Sequence, residues 1–370
     1  MADVPSLDCF LEFVFHVRDV SGELASESDA TNCVPRHWLR DRLNPLEEYS
    51  DTEFLSRFRF TKSTVASLLT SLPLKSSTDN HGRPVPPTLE LLIALRFYGA
   101  GTFQVVSGDL VNVSQSTVSR VVGRISRLIA SSLFPTVVKF PQTSEECKEA
   151  MRKFYEIGGF PGVAGCIDCI HIRIKSPGGP NAEVYRNRKG YFSINVQAIT
   201  GPQLQILDVV IGWPGSVHDS RIFDNSRARV LFETERLPGV LLGDAGYACT
   251  SFLMTPFSKP GPSNSPETRY QAAHKRTRNT VERAFGIWKR RFPCLHMKLQ
   301  NRLDNTLLII TACAALHNVA CMRNEPYPPI ISFPATQRPQ QPQRHLPLLT
   351  PVDTLSGSRA RARLTARCFS

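Results

Sequence analysis

An α/β domain preceded by an all-helical domain is the fold class that this sequence of 370 residues predicts. Apolar residues recur at helical spacing from His37 to Ser132, the pattern turns strand-like after Pro135, and helical periods return from Asp219 onward around one short apolar strand. At roughly 150 residues per domain the length suffices for two or three domains and a substantial core.

Residues 1–36 are mixed and carry no motif. The segment 37–135 is expected to be helical, with apolar stripes at Val65, Leu68, Leu69 and Leu72 and at Leu91, Leu92, Leu95 and Phe97. Within it, Gly101 to Val122 reads as a helix-turn-helix: one helix ends near Leu110, a tight turn follows, and Ser114 or Ser116 caps a second helix. That helix directs Val118, Val121, Val122, Ile125 and Ile129 inward and Gln115, Thr117, Arg120, Arg124 and Arg127 outward. A DNA-reading surface and the ordinary outer face of a small helical bundle both fit this pattern.

The runs Val163 to Ile174, Tyr191 to Ile199 and Gln205 to Trp213 are β-branched and apolar, and Gly and Pro bound them, so they read as a three-strand meander. A helix over Asp219 to Phe232, a strand over Val240 to Leu242, and helices over Ala272 to Phe292 and Leu303 to Cys321 complete the α/β domain, expected over 160–322. The segment 326–370, rich in Pro and Arg, is expected to be disordered and non-specifically basic.

Forty-four Lys and Arg against 32 Asp and Glu leave a net charge of +12, which favours a polyanionic partner. The charge is concentrated: Arg269 to Arg302 holds many basic residues and one acid, Glu282. The ten cysteines, in a sequence with no basic-then-apolar leader pattern, suit free thiols in a reducing compartment. The apolar stretch Leu307 to Met322 is interrupted by Thr311, His317 and Asn318 and falls short of the ~20 residues needed to cross a bilayer.

Acids are scarce in the second domain, and four stand where chemistry needs them. Asp168 lies inside the apolar strand Gly165-Cys-Ile-Asp-Cys-Ile-His-Ile, where an unpartnered charge is costly and a cation is one natural partner. Asp244 ends Leu241-Leu-Gly-Asp at the edge of a strand where α/β proteins bind ligands. Glu282 borders the core stripe Val281, Phe285, Trp288 and Phe292, with Arg278 and Lys289 near its own face. Asp219 follows Trp213-Pro-Gly-Ser-Val-His at a turn into a helix. Carboxylates from separate elements can converge on Mg²⁺ or Mn²⁺, hard ions that prefer oxygen, and such sites suit phosphoryl transfer. Helix capping for Asp219 and ion pairing for Glu282 fit the same residues, and spacing alone leaves both open.

Gly165-Cys-Ile-Asp-Cys-Ile-His-Ile, Tyr185-Arg-Asn-Arg-Lys-Gly-Tyr, Trp213-Pro-Gly-Ser-Val-His-Asp-Ser-Arg-Ile-Phe, Leu242-Gly-Asp-Ala-Gly-Tyr, Val281-Glu-Arg-Ala-Phe-Gly and Ala315-Leu-His-Asn together resemble the PIF/Harbinger transposases, and within them the Harbinger transposase-derived nucleases. The resemblance covers about Phe58 to Met322. It implies a ribonuclease-H-like core with a DDE triad at Asp168, Asp244 and Glu282, and Asp219 in the His-Asp-Ser motif often counted with the metal ligands. Cys169-Ile170 stands where many of these transposases have Gly-Thr, a departure that bears on metal-site geometry and favours the domesticated branch. The resemblance further implies a separate Myb-like protein that supplies DNA binding and nuclear import.

The expected function is a transposase-derived, two-metal DNA endonuclease without autonomous transposition; the alternative is a DNA-binding or partner-binding protein that keeps the fold without cleaving. Arg120, Arg124, Arg186, Arg188, Lys189, Arg278, Lys289 and Arg290 are the expected DNA contacts. Cys166 and Cys169 form a lone C-x-x-C for which core packing is preferred over zinc. The basic runs His274 to Arg278 and Lys289 to Arg291 serve equally as import signals or as a DNA-facing helix, and the expected location is the nucleus, with the cytoplasm second.

Overall fold

A computed structural model describes residues 44–74, 85–102, 114–259, 261–327 and 354–370. The helical region contains α1 (Pro45–Glu48), α2 (Asp51–Phe58), α3 (Lys62–Ser71), α4 (Pro87–Ala100), α5 (Gln115–Leu128) and, after one π turn, α6 (Phe134–Val137). Ser50 and Glu53 form a reciprocal capping box on α2, and the Thr61 hydroxyl caps α3. Apolar residues surround α4, and Leu91 to Leu95, Phe97 and Tyr98 are all buried, so it is the central helix. On α5, Val118, Val121, Val122, Ile125 and Ile129 face this core as the spacing predicts, and Ser114 caps the helix by accepting from the Thr117 N–H. The preceding helix and the turn expected from the sequence fall on 103–113, outside the described residues.

The linker holds a helix that the sequence reading did not anticipate, α7 (Ser144–Gly158), started by a second capping box of Thr143 and Glu146. The α/β region follows with β1 (Val163–Arg173), β2 (Ser193–Thr200), β3 (Ile206–Pro214), α8 (Asp219–Asp224), α9 (Arg227–Glu233), β4 (Val240–Leu242), β5 (Leu253–Met254), α10 (Pro266–Arg291), α11 (Leu303–Met322) and α12 (Leu355–Cys368). The sheet order is β3-β2-β1-β4-β5, with the meander antiparallel and β4 and β5 parallel to β1. Both faces are covered. Cys166, Val196 and Ile172 pack under α10 and its Trp288, whereas Ile167, Ile199 and Leu207 pack under Phe223, Phe232 and Tyr247. This mixed α/β arrangement is compatible with a ribonuclease-H-like core.

Three expectations need correction. The helix expected over Asp219 to Phe232 is two helices, because Ser226 leaves helical geometry, bonds the Phe223 carbonyl and caps α9 through the Arg229 N–H. The apolar helix α11 reaches 20 residues, long and apolar enough to cross a membrane, but most of it is buried inside the protein against α5, β3 and α10. The tail is not disordered throughout: 354–370 forms α12, whose Arg361 and Phe369 are buried against the α/β region. Tail composition hid this because Gly357, Arg361 and Thr365 share the docking face with only a few apolar residues, Ala360, Leu364 and Phe369.

Helical and α/β regions share one continuous apolar core. Their junction is also polar. The Glu325 carboxylate, beyond α11, accepts from the Thr61 N–H at 3.0 Å, the Thr61 hydroxyl at 2.7 Å and the Thr64 hydroxyl. Buried Arg291 donates to the carbonyls of Arg59, Glu325 and Pro326.

Candidate active site

Strand register places the first two carboxylates. Cys166 of β1 pairs with Leu242 of the parallel strand β4, and two residues farther along each chain come Asp168 and Asp244. Adjacent strands lie about 4.8 Å apart, so the two acids stand abreast at the C-terminal edge. Side chains alternate along β1, so Asp168 shares the face of Cys166, whose thiol reaches the Thr277 carbonyl of α10 at 3.4 Å. One turn apart on α10 are Arg278 and Glu282. The guanidinium of Arg278 joins them: Nη1 donates to Asp168 Oδ2 at 3.1 Å and Nη2 donates to Glu282 Oε1.

One oxygen of each aspartate is engaged locally. Asp168 Oδ1 accepts from the Cys169 N–H and Asp244 Oδ1 from the Gly246 N–H, both at 2.8 Å. Burial pushes the Asp168 carboxyl up to about 6; the nearby charges of Asp244 and Asp219 push the same way, against the Cys169 N–H and Arg278.

Asp219 approaches from the other side. At the start of α8, its carboxylate accepts from Asn195 Nδ2 at 2.9 Å, and the same amide donates to the Val217 carbonyl. The helix cap is His218, whose ring nitrogen accepts from the Ser220 N–H, so the capping role left open for Asp219 belongs to its neighbour. Cys169, on the face opposite Cys166, lies against Asp219 and 3.3 Å from the Tyr247 hydroxyl. The two cysteines therefore point away from each other and cannot share a zinc ion. All eight described cysteines are free thiols.

The expected DNA contacts separate into groups. Arg188 and Lys189 are exposed on a turn that the Asn187 side chain organises through the N–H groups of Lys189 and Tyr191. Their charges reach His171, which burial shifts below its ordinary value. Lys289 donates to the His171 carbonyl at 3.4 Å, and burial, with Arg173 and Lys189 nearby, brings its amine down to about 8. Arg186 is instead a loop clamp, bonded to Glu183 and the Gly190 carbonyl and stacked 4.4 Å from Phe192. Arg124 pairs with the buried carboxylate of Glu90, while Arg120 is exposed on the same helix. Arg290 leans over the Tyr327 ring, and Arg278 belongs to the acids.

Residues 167–318 match the DDE superfamily endonuclease family. The mouse protein "Putative nuclease HARBI1" is 30% identical over 341 residues, covering 90% of this chain and 95% of that one. Its human counterpart is 29% identical over 340 residues with the same coverage, and "Protein ALP1-like" of Arabidopsis thaliana is 29% identical over 281 residues, 71% of this chain and 67% of its own length. No solved structure matches.

The chain belongs to the Harbinger transposase-derived nuclease family.

In this Harbinger-type nuclease the acids fit the divalent ions that DDE endonucleases generally use. Their donors are all oxygens, two carboxylates stand abreast with only part of their charge offset, and the guanidinium between Asp168 and Glu282 shows a cation held at that position. In the present side-chain arrangement no three His, Cys, Asp or Glu groups among the described residues close on one point. Sequence reasoning missed Asn195, although a fully buried amide in the apolar strand Ser193-Ile-Asn-Val-Gln signals a specific partner. The ion pair left open for Glu282 does form, with Arg278, and what sequence reasoning missed is the reach of the same guanidinium to Asp168, because charge alone does not name a partner 110 residues away.

Proposed function

We propose that this chain is a nuclear, metal-dependent DNA endonuclease that hydrolyses phosphodiester bonds. The observation that carries this reading is the position of Asp168 and Asp244, each two residues beyond the Cys166–Leu242 strand pair, with Glu282 on α10 joined to Asp168 through Arg278. Asp168, Asp244 and Glu282, with Asp219 from the far side, would hold two Mg²⁺ or Mn²⁺ ions. Polarisation of the phosphodiester and generation of a nucleophile from water at neutral pH are the chemistry that such ions supply. Asn195 orients the Asp219 carboxylate. Arg278 pairs with Asp168 and Glu282 and, with ions held by those acids, would be available to contact the phosphate. Arg188, Lys189 and Lys289 hold the DNA backbone, which makes binding salt-sensitive. A Myb-like partner selects the target and accompanies the chain into the nucleus, with exposed Arg120 on α5 adding contact to the duplex.

A second reading, a DNA-binding protein that keeps the fold without cleaving, draws on the same guanidinium, since Arg278 already satisfies two of the acids. Nicking of supercoiled plasmid separates the two. With Mg²⁺ or Mn²⁺ and the Myb-like partner present, wild type nicks and Asp168→Asn and Glu282→Gln do not; a wild type that binds DNA but never nicks leaves the second reading standing.

A further inference from the structure

The C-terminal helix α12 is fastened to the nuclease region by one face and presents an uncompensated basic face on the other. Its first turn is pinned where β4 gives way to β5: the backbone N–H and the hydroxyl of Thr354 both donate to the Cys249 carbonyl at 3.1 Å, and the hydroxyl also caps the helix by accepting from the Gly357 N–H. Gly357 packs so closely that a Cβ there would sit 2.1 Å from the Cys249 carbonyl oxygen, so no larger residue fits. One turn on, Arg361 donates to the Thr255 hydroxyl and the Pro256 carbonyl, both at 3.2 Å, and stacks 4.6 Å from Phe257. At the end, Phe369 enters the aromatic cluster of Phe160 and Tyr270, and its carbonyl accepts from Arg269 at 2.7 Å. These contacts fix the rotation of the helix about its axis.

Gly357, Arg361 and Thr365 thus define the docked face, and Arg359, Arg363 and Arg367 fall on the opposite one, all exposed. Successive guanidiniums rise about 6 Å along the axis. No acid lies between Thr354 and Ser370, and among the described residues nothing pairs with the three arginines. Like charges at this spacing repel and weaken a helix. The same chain neutralises its charges elsewhere: on α7, Lys148 pairs with Glu145, and Arg152 pairs with Glu149 and Glu156. An ordinary solvated face resembles α7; α12 has the charge pattern of a surface completed by a polyanion.

We propose that α12 is a duplex-DNA-binding element, in which Arg359, Arg363 and Arg367 contact the phosphate backbone outside the cleavage centre. This rests on the reading of the chain as a DNA endonuclease and adds a holding surface that neither the acids nor the helical region provides. The contacts read charge rather than base sequence, so they raise affinity uniformly across duplexes.

The test is fluorescence anisotropy of the full chain on a labelled duplex over a salt series, for wild type, R359Q/R363Q/R367Q and the conservative R359K/R363K/R367K, with thermal melting as a check on folding. The Gln variant is expected to bind more weakly, with a log-log salt slope shallower by about 2.7 if all three arginines release counterions, and the gap from wild type closing roughly 40-fold between 50 and 200 mM salt. The Lys variant keeps most of the slope, and nicking at saturating DNA is unchanged in both. Equal slopes for wild type and the Gln variant overturn the proposal while leaving the endonuclease reading intact. If wild type binds no duplex even with the Myb-like partner present, both readings fall. Loss in the Gln variant of binding to phosphatidylserine vesicles, with duplex binding unaffected, assigns the face to an anionic lipid surface instead.

Discussion

The junction between the helical region and the end of α11 buries Glu325, and the centre of the sheet half-buries Asp168, yet the two surroundings treat a withdrawn carboxylate in opposite ways. Glu325 receives three donors from the start of α3, a backbone N–H and two hydroxyls, so its charge ties two distant parts of the chain together. Asp168 receives its own neighbour's N–H and half of one guanidinium, while Asp244 and Asp219 add like charge nearby. A fully partnered acid is a rivet. A partly partnered one is poised to take another cation, which is why binding chemistry is read at the sheet and not at the junction.

That contrast can be broken most decisively by cleavage. Asp168→Asn and Asp244→Asn are each expected to reduce plasmid nicking by two to four orders of magnitude, corresponding to the several kcal/mol of transition-state stabilisation such ligand sets give. Neither should lower the melting temperature of the metal-free protein, because each removes like charge; a fall in both variants would place these acids among the rivets. Glu325→Ala has the reverse profile. It removes the acceptor of a backbone N–H and of the hydroxyls of half-buried Thr61 and buried Thr64, so urea denaturation should show a loss of about 1–3 kcal/mol, with nicking per folded molecule preserved.

Acid sharpens the comparison through His317, whose Nε2 lies 2.8 Å from the Leu204 carbonyl and whose burial pulls it down to about 4. The unfolded chain takes this proton near pH 6.5, so stability is present above that value and is lost as pH falls toward 4. At pH 5 the loss from this group is about 2 kcal/mol, and urea midpoints for His317→Asn should fall less between pH 7.5 and 5.0 than those of wild type. The smallest effects divide two arginines of α5. Arg124→Met, which leaves buried Glu90 unpaired, should cost about 1–2 kcal/mol after allowance for the exposure of Arg124. Arg120→Gln should leave the melting temperature unchanged and flatten the DNA salt slope by about 0.9.

Much of this was legible in the sequence. β1 to β4 stand close to where β-branched runs bounded by Gly and Pro put them, and the stripe Val281, Phe285, Trp288 and Phe292 is buried as its spacing requires. Asp168 and Asp244 could be singled out because acids are rare there and each adjoins a strand end or an apolar run. What stayed illegible depends on tertiary contact. A side chain paired with a distant acid looks the same in sequence as one facing solvent, so Arg278 and Arg124 read as DNA contacts. The docking of α12 relies on Gly357 and Arg361 beside Ala360, Leu364 and Phe369, an apolar pattern too sparse to stand out in a Pro- and Arg-rich tail. The break in the helix after Asp224 depends on one serine hydroxyl choosing backbone partners.

The parallel pairing of β1 with β4 also governs when the proposed cleavage centre comes into being. Asp168 meets Asp244 only after a long crossover through β2, β3, α8 and α9 has closed, and Arg278 meets Asp168 across 110 residues. Contacts of such sequence separation are entropically expensive and form late and slowly. A nascent or partly unfolded chain can keep its helices and its meander and still lack the assembled acids, so the proposed cleavage would be tied to completion of the native topology.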